Sequence, residues 1–408
     1  MRLSDLTVEV RDKSLARVGA IRPEELILEL ADEFNNVGTW KLTLAIEHPL
    51  ASVLRTPGAG IIVTGPTDVL MSGPMTKSEY ASTPEDPGGS TVFEGVSDTC
   101  ILADSLAFPD PTNVNPSTQT LSHDVRTGVA EDLLHAYVNA NIGPSAPAAR
   151  RNTKLIMGTN LHRGALISKS ARFPVLGNLL SDIATGSRLS FRIVQRDSQL
   201  VFETGQVADR TSLIRLDVWN STLSGSRVSV GAPSATEVIV AGQGEQEARN
   251  FRLVTTSDSI ASEALWGRRI EVFKDQRNTN DDDELDNSGL EILTEKGVTG
   301  VAAQAVPNED SPMVFGRDWF QGDKVTVIVN GQELAATVTG TILKATSDGF
   351  KIGAQLGDPT GFDPQAAYAQ QVQSTQSRVS ELERNGGTPN VQPEQIETAR
   401  ILNMMEVW

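Results

Sequence analysis

The sequence predicts a mainly β, multi-domain protein with β-barrels and a mixed α and β middle module. Apolar residues alternate with polar ones in many short runs, and Gly-, Pro- and Asn-rich turns separate these runs. Helical spacing replaces the alternation only in a few segments. The chain has 408 residues, whereas single hydrophobic cores stop growing at roughly 250–300 residues. Several modules are therefore expected.

The first module is predicted as a β-barrel over residues 1–108. Leu6, Val8 and Val10 alternate with polar residues, and the turn Asn35-Asn36-Val37-Gly38 separates two apolar runs. The predicted strands fall at residues 6–11, 26–30, 40–46, 61–63, 69–80 and 90–102. The Pro-rich stretch that begins at Pro109 indicates the end of this barrel.

The second module, residues 109–207, is predicted to be mixed α and β. Apolar residues follow helical spacing from Val129 to Ile142, and Gly143-Pro144 ends that helix. A second helix is predicted from Leu176 to Ala184. After it, apolar residues at 189–193 and 200–202 flank a turn and predict a hairpin.

Two more β modules follow. Residues 208–310 are predicted to form a second β section, with a helix that follows the acidic stretch 278–284 and ends at Lys296-Gly297. Residues 311–358 are predicted to form a small β-barrel, because alternating valines lead into the hairpin turn Asn330-Gly331. Asp323 and Lys324 at the start of its first strand are expected to be solvated rim charges.

The C-terminal part has a different pattern. Residues 359–384 are predicted as a linker and a short coiled-coil helix, and residues 385–408 as a flexible tail or docking peptide. Apolar residues in the helix keep an alternating four-and-three spacing, with one Thr in the seam. The predicted oligomer interface consists of Tyr368, Val372, Thr375, Val379 and Leu382. This seam is too short to hold alone, so the oligomer is expected to be held mainly elsewhere.

Charge and cysteine usage exclude several classes of protein. Asp plus Glu number 52 and Lys plus Arg 35, and the net charge of −17 argues against affinity built on neutralising phosphates. Cys100 is the only cysteine, so the chain has no internal disulfide or thiolate cage, and a buried role is favoured over a nucleophile. Neither a signal peptide nor a membrane span of about 20 apolar residues is recognisable, which predicts synthesis in the cytoplasm without an anchor.

Three motifs, two rich in glycine and one acidic, have a structural interpretation as well as a functional one. Gly58-Ala59-Gly60 precedes a strand instead of opening a helix, which favours a turn over a phosphate loop, and Gly242-Gln243-Gly244 is weak for the same reason. The acidic run 281–284 has the ligand type for a hard cation but lacks the glycine and spacing of a calcium loop. Acidic residues also favour the first turn of a helix.

The histidines do not form a recognisable catalytic pattern. Ser122, His123 and Asp124 are adjacent in sequence and cannot form a relay, whose partners come from separate elements. His135 lies near the apolar stripe of its helix, which favours packing over metal binding. The sequence therefore predicts no catalytic residue, cofactor or metal site. A carboxylate pair among the 52 acidic residues stays open, because its geometry is three-dimensional.

Eight segments carry a resemblance to a known family. They are TVEVRD (7–12), VGTW (37–40), HPLA (48–51), PGAGIIVTGP (57–66), SD (97–98), HAYVNANIGP (135–144), WGRRIE (266–271) and DQRNT (275–279). Across about residues 7 to 384 the chain resembles the hub-type minor tail proteins of long-tailed actinobacteriophages. These are similar in architecture to the baseplate hubs of contractile tails.

This resemblance implies a structural role. Contractile-tail hubs are homotrimers in which each subunit contributes two tube-like barrels, here expected at 1–108 and 208–310. The implied function is a tail-tip hub that closes the tail tube and forms part of the DNA exit channel. The implied partners are the distal tail protein ring, the tape-measure protein and other tail-tip or fibre proteins, with DNA passing without specific binding. The implied location is the virion tail tip, after assembly in the host cytoplasm.

Two other functions stay open from the sequence. One is a tail-associated cell-wall hydrolase with an acidic pair in the middle module, and a peptidoglycan zymogram separates it from a scaffold. The chain ends about 25 residues after the seam, which argues against a built-in hydrolase. The other is a saccharide-binding adhesin with exposed aromatic platforms. The aromatic content of 5% makes the adhesin less attractive.

Overall fold

A computed structural model describes most of the chain up to residue 357. The described residues are 2–81, 89–217, 222–244, 248–277, 279–297, 300–307, 311–329, 331–346 and 349–357. Strands predominate over helices in them, which confirms the mainly β fold class. The predicted seam from Tyr368 to Leu382 and the predicted tail 385–408 lie outside the described residues, so both stay predictions.

The elements of the described residues are as follows in chain order. The strands are β1 (Thr7–Arg11), β2 (Arg17–Ile21), β3 (Ile27–Glu33), β4 (Thr39–Ala45), β5 (Gly60–Thr64), β6 (Val69–Ala81), β7 (Ser90–Val96), β8 (Asp124–Val129), β9 (Leu155–Met157), β10 (Leu166–Ala171), β11 (Leu189–Arg196), β12 (Gln199–Gln206), β13 (Arg215–Leu216), β14 (Leu223–Gly231), β15 (Glu237–Ala241), β16 (Phe251–Val254), β17 (Glu271–Asp275), β18 (Gly300–Pro307), β19 (Lys324–Val329), β20 (Gln332–Thr346) and β21 (Gly349–Gly357). The helices are α1 (Pro49–Leu54), α2 (Cys100–Ala103), α3 (Ala130–Asn141), α4 (Leu176–Ser187), α5 (Ser257–Trp266) and α6 (Asp282–Lys296).

Thirteen strands form one large curled sheet. Its order is β14-β18-β21-β20-β3-β4-β7-β6-β5-β1-β2, and β19 pairs with both β20 and β13. In the strands other than β14 and β18, alternate side chains point to one face and form an apolar cluster. Trp40, Phe93 and Trp319 belong to this cluster and are at most 2% exposed. Each Å² of buried apolar surface stabilises a fold by about 25 cal/mol. Burial of such large rings therefore makes this cluster a major source of stability.

Strands from the two ends of the described chain meet inside the large sheet. β3 pairs with β20 in antiparallel register, with Leu30 opposite Leu343. Residues 1–108 and 311–358, predicted as two barrels, therefore share one sheet and one apolar cluster. The small barrel predicted for 311–358 does not form a unit of its own, because its longest strand is paired with β3. From the predicted second section, 208–310, three strands also join this sheet.

The large sheet turns a corner at Gly73 and Pro74. β6 pairs with β5 before this point and with β7 after it. The backbone is so close there that a Cβ on Gly73 would lie 1.7 Å from the carbonyl oxygen of Val96. A Cβ on Gly95 would lie 2.2 Å from Cε2 of the Trp40 ring. Side chains at these two glycines would push the strands apart, so the corner requires glycine.

Charges of opposite sign alternate across the face of the sheet that lies away from the apolar cluster. Lys344 lies opposite Glu29, which lies opposite Lys41. Lys41 in turn lies opposite Glu94, which lies opposite Lys77. Opposite-charge pairs across neighbouring strands stabilise a sheet by roughly 0.2–1 kcal/mol each. These cross-strand charges favour the observed register of the five strands.

The middle module packs two helices on two small sheets. β8 pairs with β10, and the second sheet has the order β11-β12-β9. α3 and α4 bury one side of each helix in a second apolar cluster that includes Leu134, Tyr137, Leu180 and Phe202. The helices predicted from spacing are confirmed, and α4 ends at Ser187, one residue past the stop predicted at Gly186.

A third sheet, with the order β16-β15-β17, packs against α6. The helix begins after its N-cap Asp281 and ends at Lys296, close to the prediction. α5 was not predicted, because its apolar residues form no buried stripe: Leu265 is 74% exposed and the buried side chains are serines. Its start is fixed instead by a reciprocal capping box between Thr256 and Ser259.

Replacing Gly73 with alanine tests the corner. Gly73→Ala is expected to lower the free energy of unfolding by about 3 kcal/mol, because backbone atoms that cannot move independently surround the new methyl group. Urea denaturation followed by circular dichroism measures the change. The matched control is Gly186→Ala in α4, where a Cβ would sit 3.7 Å from Cγ of Glu291. This control should leave stability unchanged or raise it by up to about 1 kcal/mol. Equal stability of the two variants would contradict the conclusion that the corner requires glycine at position 73.

Candidate functional site at the junction of the large sheet and the middle module

A buried ion pair joins the large sheet to the middle module. Arg11 at the end of β1 donates from Nη1 to Oδ2 of Asp98 (2.8 Å) and from Nη2 to Oδ1 (2.6 Å). Arg11 Nη1 also donates to Oε1 of Gln195 in β11 (2.8 Å), and Ser72 Oγ donates to Oδ2 of Asp98 (2.6 Å). All four residues are at most 2% exposed. The two charges are therefore paired and hydrogen-bonded in the protein interior.

Side chains of the large sheet also bind the outer edge of β11. Asn35 accepts from the backbone N of Phe191 (2.8 Å) and donates to the carbonyl oxygen of Leu189 (3.0 Å). Further along the edge, Thr99 Oγ1 accepts from the backbone N of Ile193 (3.2 Å). Ser72 Oγ accepts from the backbone N of Gln195 (2.7 Å). These bonds satisfy backbone groups that β12, on the other edge, cannot reach.

Local conformation aims these side chains at β11. Asn35 lies in the predicted turn with a φ of +54°, a left-handed conformation that asparagine tolerates better than most residues. Asp98 and Thr99 follow directly after β7, and the backbone N of Asp98 donates to the carbonyl oxygen of Ser72 (2.8 Å). The junction is thus held by directional polar contacts from two connecting segments and one strand.

A charged cluster lies at the rim of the junction. Arg192 donates to Asp68 (3.0 Å) and to Glu203 (3.0 and 3.1 Å), and Arg196 pairs with the same two carboxylates. Burial opposes ionisation of Asp68, but the two guanidinium groups outweigh it and lower its pKa to about 2. Both arginines are therefore already engaged by carboxylates.

A cavity of about 320 Å³ lies between the rim and the large sheet. Its walls include aromatic rings from three parts of the chain: Phe34, Phe191, Phe315 and Phe320. Its polar lining includes Asp32, at the end of β3, and Gln321. Its volume is at the lower end of the range of roughly 300–1,000 Å³ that ligand pockets usually have.

The candidate catalytic and metal-binding residues considered from the sequence do not line this cavity. Cys100 is buried in the second apolar cluster, as expected, and burial raises the pKa of its thiol well above the usual range. Nε of Arg126 donates to the Asp124 carboxylate at the start of β8. His135 packs edge-on against Phe202 and shares a hydrogen bond of 3.1 Å with Thr204.

The glycine and acidic motifs have structural roles. Gly58 has a φ of +86° in the turn before β5, as the turn interpretation predicts. Asp281 caps α6 by accepting from the backbone N of Asp283 and Glu284. Among the described residues, no group of three His, Cys, Asp or Glu side chains is arranged to hold a metal ion.

The prediction for Asp323 is wrong. Asp323 is 5% exposed, and it accepts from Nε of Arg210 (2.6 Å) and from the backbone N of Phe320 (2.9 Å). It is therefore a buried ion-pair partner and not a solvated rim charge. Its partner Arg210 lies far away in sequence, so no local pattern around residue 323 could have shown the pair.

The junction residues were not singled out from the sequence as a site. Arg11 comes directly after the alternating apolar residues of β1, and Gln195 lies in β11, one strand of a hairpin. Neither position indicates a site from the local sequence. The sequence feature that could have indicated these residues is the family resemblance, because Arg11 and Asp98 both lie in motifs on which that resemblance rests. Those motifs contain the two charges that lock the junction.

The fold is that of phage tail proteins. It is similar to the 43 kDa tail protein of prophage MuSo2 from Shewanella oneidensis, with a TM-score of 0.53 and 10% identity over 88% of this chain and 99% of that chain. It is also similar to the prophage tail protein gp18 from Listeria monocytogenes EGD-e, with a TM-score of 0.53 and 10% identity over 91% of this chain and 99% of that chain. At such identity the likeness concerns the fold alone.

The fold is thus shared with phage tail proteins. The chain belongs to the Siphovirus ReqiPepy6 Gp37-like protein family, whose model matches residues 7–358. The resemblance to phage tail proteins inferred from the motifs is thereby confirmed. The family match ends before the predicted seam at 368–382. No curated protein matches the sequence, and none of the described helices is long and apolar enough to span a bilayer.

Removing the cation of the buried pair tests the junction. Arg11→Met is expected to lower the free energy of unfolding by about 3–5 kcal/mol, because Asp98 would be left charged and buried. Chemical denaturation measures the loss, and adding Asp98→Asn to Arg11→Met should recover part of it. The control is Arg17→Met, which removes an exposed pair with Glu9 in the same hairpin (2.5 Å). The loss there should stay below about 1 kcal/mol. Equal losses in the two single variants would contradict the assigned role.

Proposed function

We propose that this protein is the trimeric hub of a phage tail tip. It closes the end of the tail tube, joins the distal tail protein ring and carries tail-tip or fibre proteins. The observation that carries the proposal is the family match over residues 7–358 of a mainly β chain. The protein acts as a scaffold without catalytic activity, in the virion, at the tail tip, after assembly in the host cytoplasm. The tape-measure protein and passing DNA are its transient neighbours.

The edges of the large sheet support an assembly of several copies. β2 and β14 lie at its two ends, and within the described residues each pairs with one strand only. Exposed strand edges favour pairing with another chain unless they are covered. In a closed ring each subunit meets two neighbours, so both edges can be covered by copies of the same chain. The predicted seam of Tyr368, Val372, Thr375, Val379 and Leu382 adds a smaller contact along the ring axis.

A mass measurement tests the trimer. In light scattering coupled to size exclusion, the full chain is expected to have the mass of three 43.8-kDa chains. Val379→Asp should weaken the trimer by about tenfold or less, because a seam of this length contributes only a part of the contact. Val391→Asp, beyond the seam, is the matched control and should leave the mass unchanged. A strictly monomeric mass, both for the purified protein and in tail-tip particles, would refute the hub.

The charge balance predicts the character of the channel. The chain carries a net charge of −17, and an acidic channel wall repels DNA and lowers its friction during passage. A map of the assembled tail tip at side-chain resolution is expected to show mostly Asp and Glu along the channel. A channel lined mainly by Lys and Arg would contradict this part of the proposal.

A further inference from the structure

Asp32 occupies a position where the strand pattern calls for an apolar side chain. Leu28 and Leu30 point into the apolar cluster from β3, and Asp32 follows at the same period of two. Across the strand pair, Leu30 lies opposite Leu343 and Asp32 opposite Thr341. The carboxylate therefore stands on the core-facing side of the sheet, where the apolar cluster ends and the cavity begins. An ionised carboxylate at such a position opposes folding.

The charged groups around Asp32 leave its carboxylate available. Arg192 is the cation that acts on Asp32, but its guanidinium is bonded to Asp68, Glu203 and the carbonyl oxygen of Val69. The backbone N of Glu33 donates to the Asp32 carboxylate, and within the described residues no side chain donates to it or forms an ion pair with it. Burial raises the pKa of Asp32 to about 7, and the neighbouring Glu33 adds to this shift.

Gln321 supplies a second polar group to the cavity. The amide nitrogen Nε2 of Gln321 is buried, and it has no hydrogen-bond partner in the part of the chain that the structure describes. A buried donor without a partner destabilises a protein by roughly 1–3 kcal/mol. A ligand that satisfies both groups carries a cation for Asp32 and an acceptor oxygen for Gln321.

The aromatic walls define the rest of the ligand. Phe34, Phe191 and Phe315 are at most 9% exposed, whereas Phe320 is 36% exposed and forms an accessible part of the wall. Aromatic faces bind alkyl chains and also attract cations. Lys and Arg side chains combine an apolar stem with a cationic head, and their main chain supplies carbonyl oxygens.

We propose that this cavity binds a lysine or arginine side chain presented by a neighbouring tail protein. Asp32 binds the cation, the phenylalanine rings contact the stem, and Gln321 donates to an oxygen of the same segment. The source of the segment rests on the proposed role in a tail assembly. Cation binding itself does not, because it depends only on the cavity.

Binding of small probes to the full chain tests the site. N-acetyl-arginine methylamide is titrated at pH 8 by calorimetry, beside its neutral isostere N-acetyl-citrulline methylamide. The arginine probe should bind at least tenfold more tightly than the citrulline probe. Its affinity should fall as the pH is lowered from 8 to 6, because protonation of Asp32 removes the charge. Equal binding of the two probes, or no binding of the arginine probe up to 10 mM (about −2.7 kcal/mol), would overturn the proposal.

Variants locate the binding. Asp32→Asn should lower the affinity at least tenfold and remove the pH dependence, whereas the same change at the remote Asp258 should have no effect. Asp32→Asn should also raise the thermal midpoint at pH 8 relative to the wild type, and this gain should vanish towards pH 4. The sign follows from a folded-state pKa of about 7 against 3.8, since ionisation then opposes folding at high pH. Unchanged affinity in folded Asp32→Asn would exclude this site.

The partner is tested in assembled particles. A photo-reactive benzoylphenylalanine at position 320 should crosslink to a segment of another tail protein that contains Lys or Arg. Crosslinks confined to the same chain would overturn the partner assignment. The light-scattering mass keeps the two proposals separate: a trimer that binds no probe leaves the hub proposal intact, whereas a monomer that binds the probe leaves only the cation site.

Discussion

The buried ion pair between Arg11 and Asp98 is the interaction on which the arrangement of the modules depends. Removing two charges from water is costly, and only good geometry and further hydrogen bonds offset it. Here the pair is bidentate, and Ser72 and Gln195 add one hydrogen bond each. Since these residues come from β1, β6, β11 and the segment after β7, all of these bonds form only when the middle module has one orientation. An apolar contact of the same size would tolerate small rotations.

The hydrogen bonds along the edge of β11 also require one orientation of the middle module. Side chains of Asn35, Thr99 and Ser72 replace the hydrogen bonds that a neighbouring strand would provide. Each bond fixes one backbone group, so a shift of β11 by one residue would break all of them. The large sheet and the middle module keep mainly separate apolar clusters, and between them lie these polar contacts and a small apolar cluster of Ile62, Val69 and Val194. A cavity can persist at such a boundary, because apolar packing does not fill all of it.

Local patterns predicted much of the fold, and distant pairings limited the rest. The hairpin of β11 and β12 and the helices α3 and α4 follow from alternation, helical spacing and turn residues within short windows. The pairing of β3 with β20 joins segments from opposite ends of the described chain, and so the predicted barrels 1–108 and 311–358 could not be recognised as one sheet. Asp323 was misjudged for the same reason. Of the junction, the sequence showed only that Arg11 and Asp98 lie in family motifs.

The cavity forms only when strands from the two ends of the described chain have paired. Its formation therefore links folding to assembly. Asp32 belongs to β3, and the opposing wall comes from Phe315, Phe320 and the strands β20 and β21. The wall is therefore incomplete until the C-terminal strands have paired with β3, and contacts so distant in sequence form late because their loop closure is costly. A partner that needs this cavity would meet only chains whose large sheet is complete. In a particle built by sequential addition, such a requirement excludes unfinished subunits without any separate checking step.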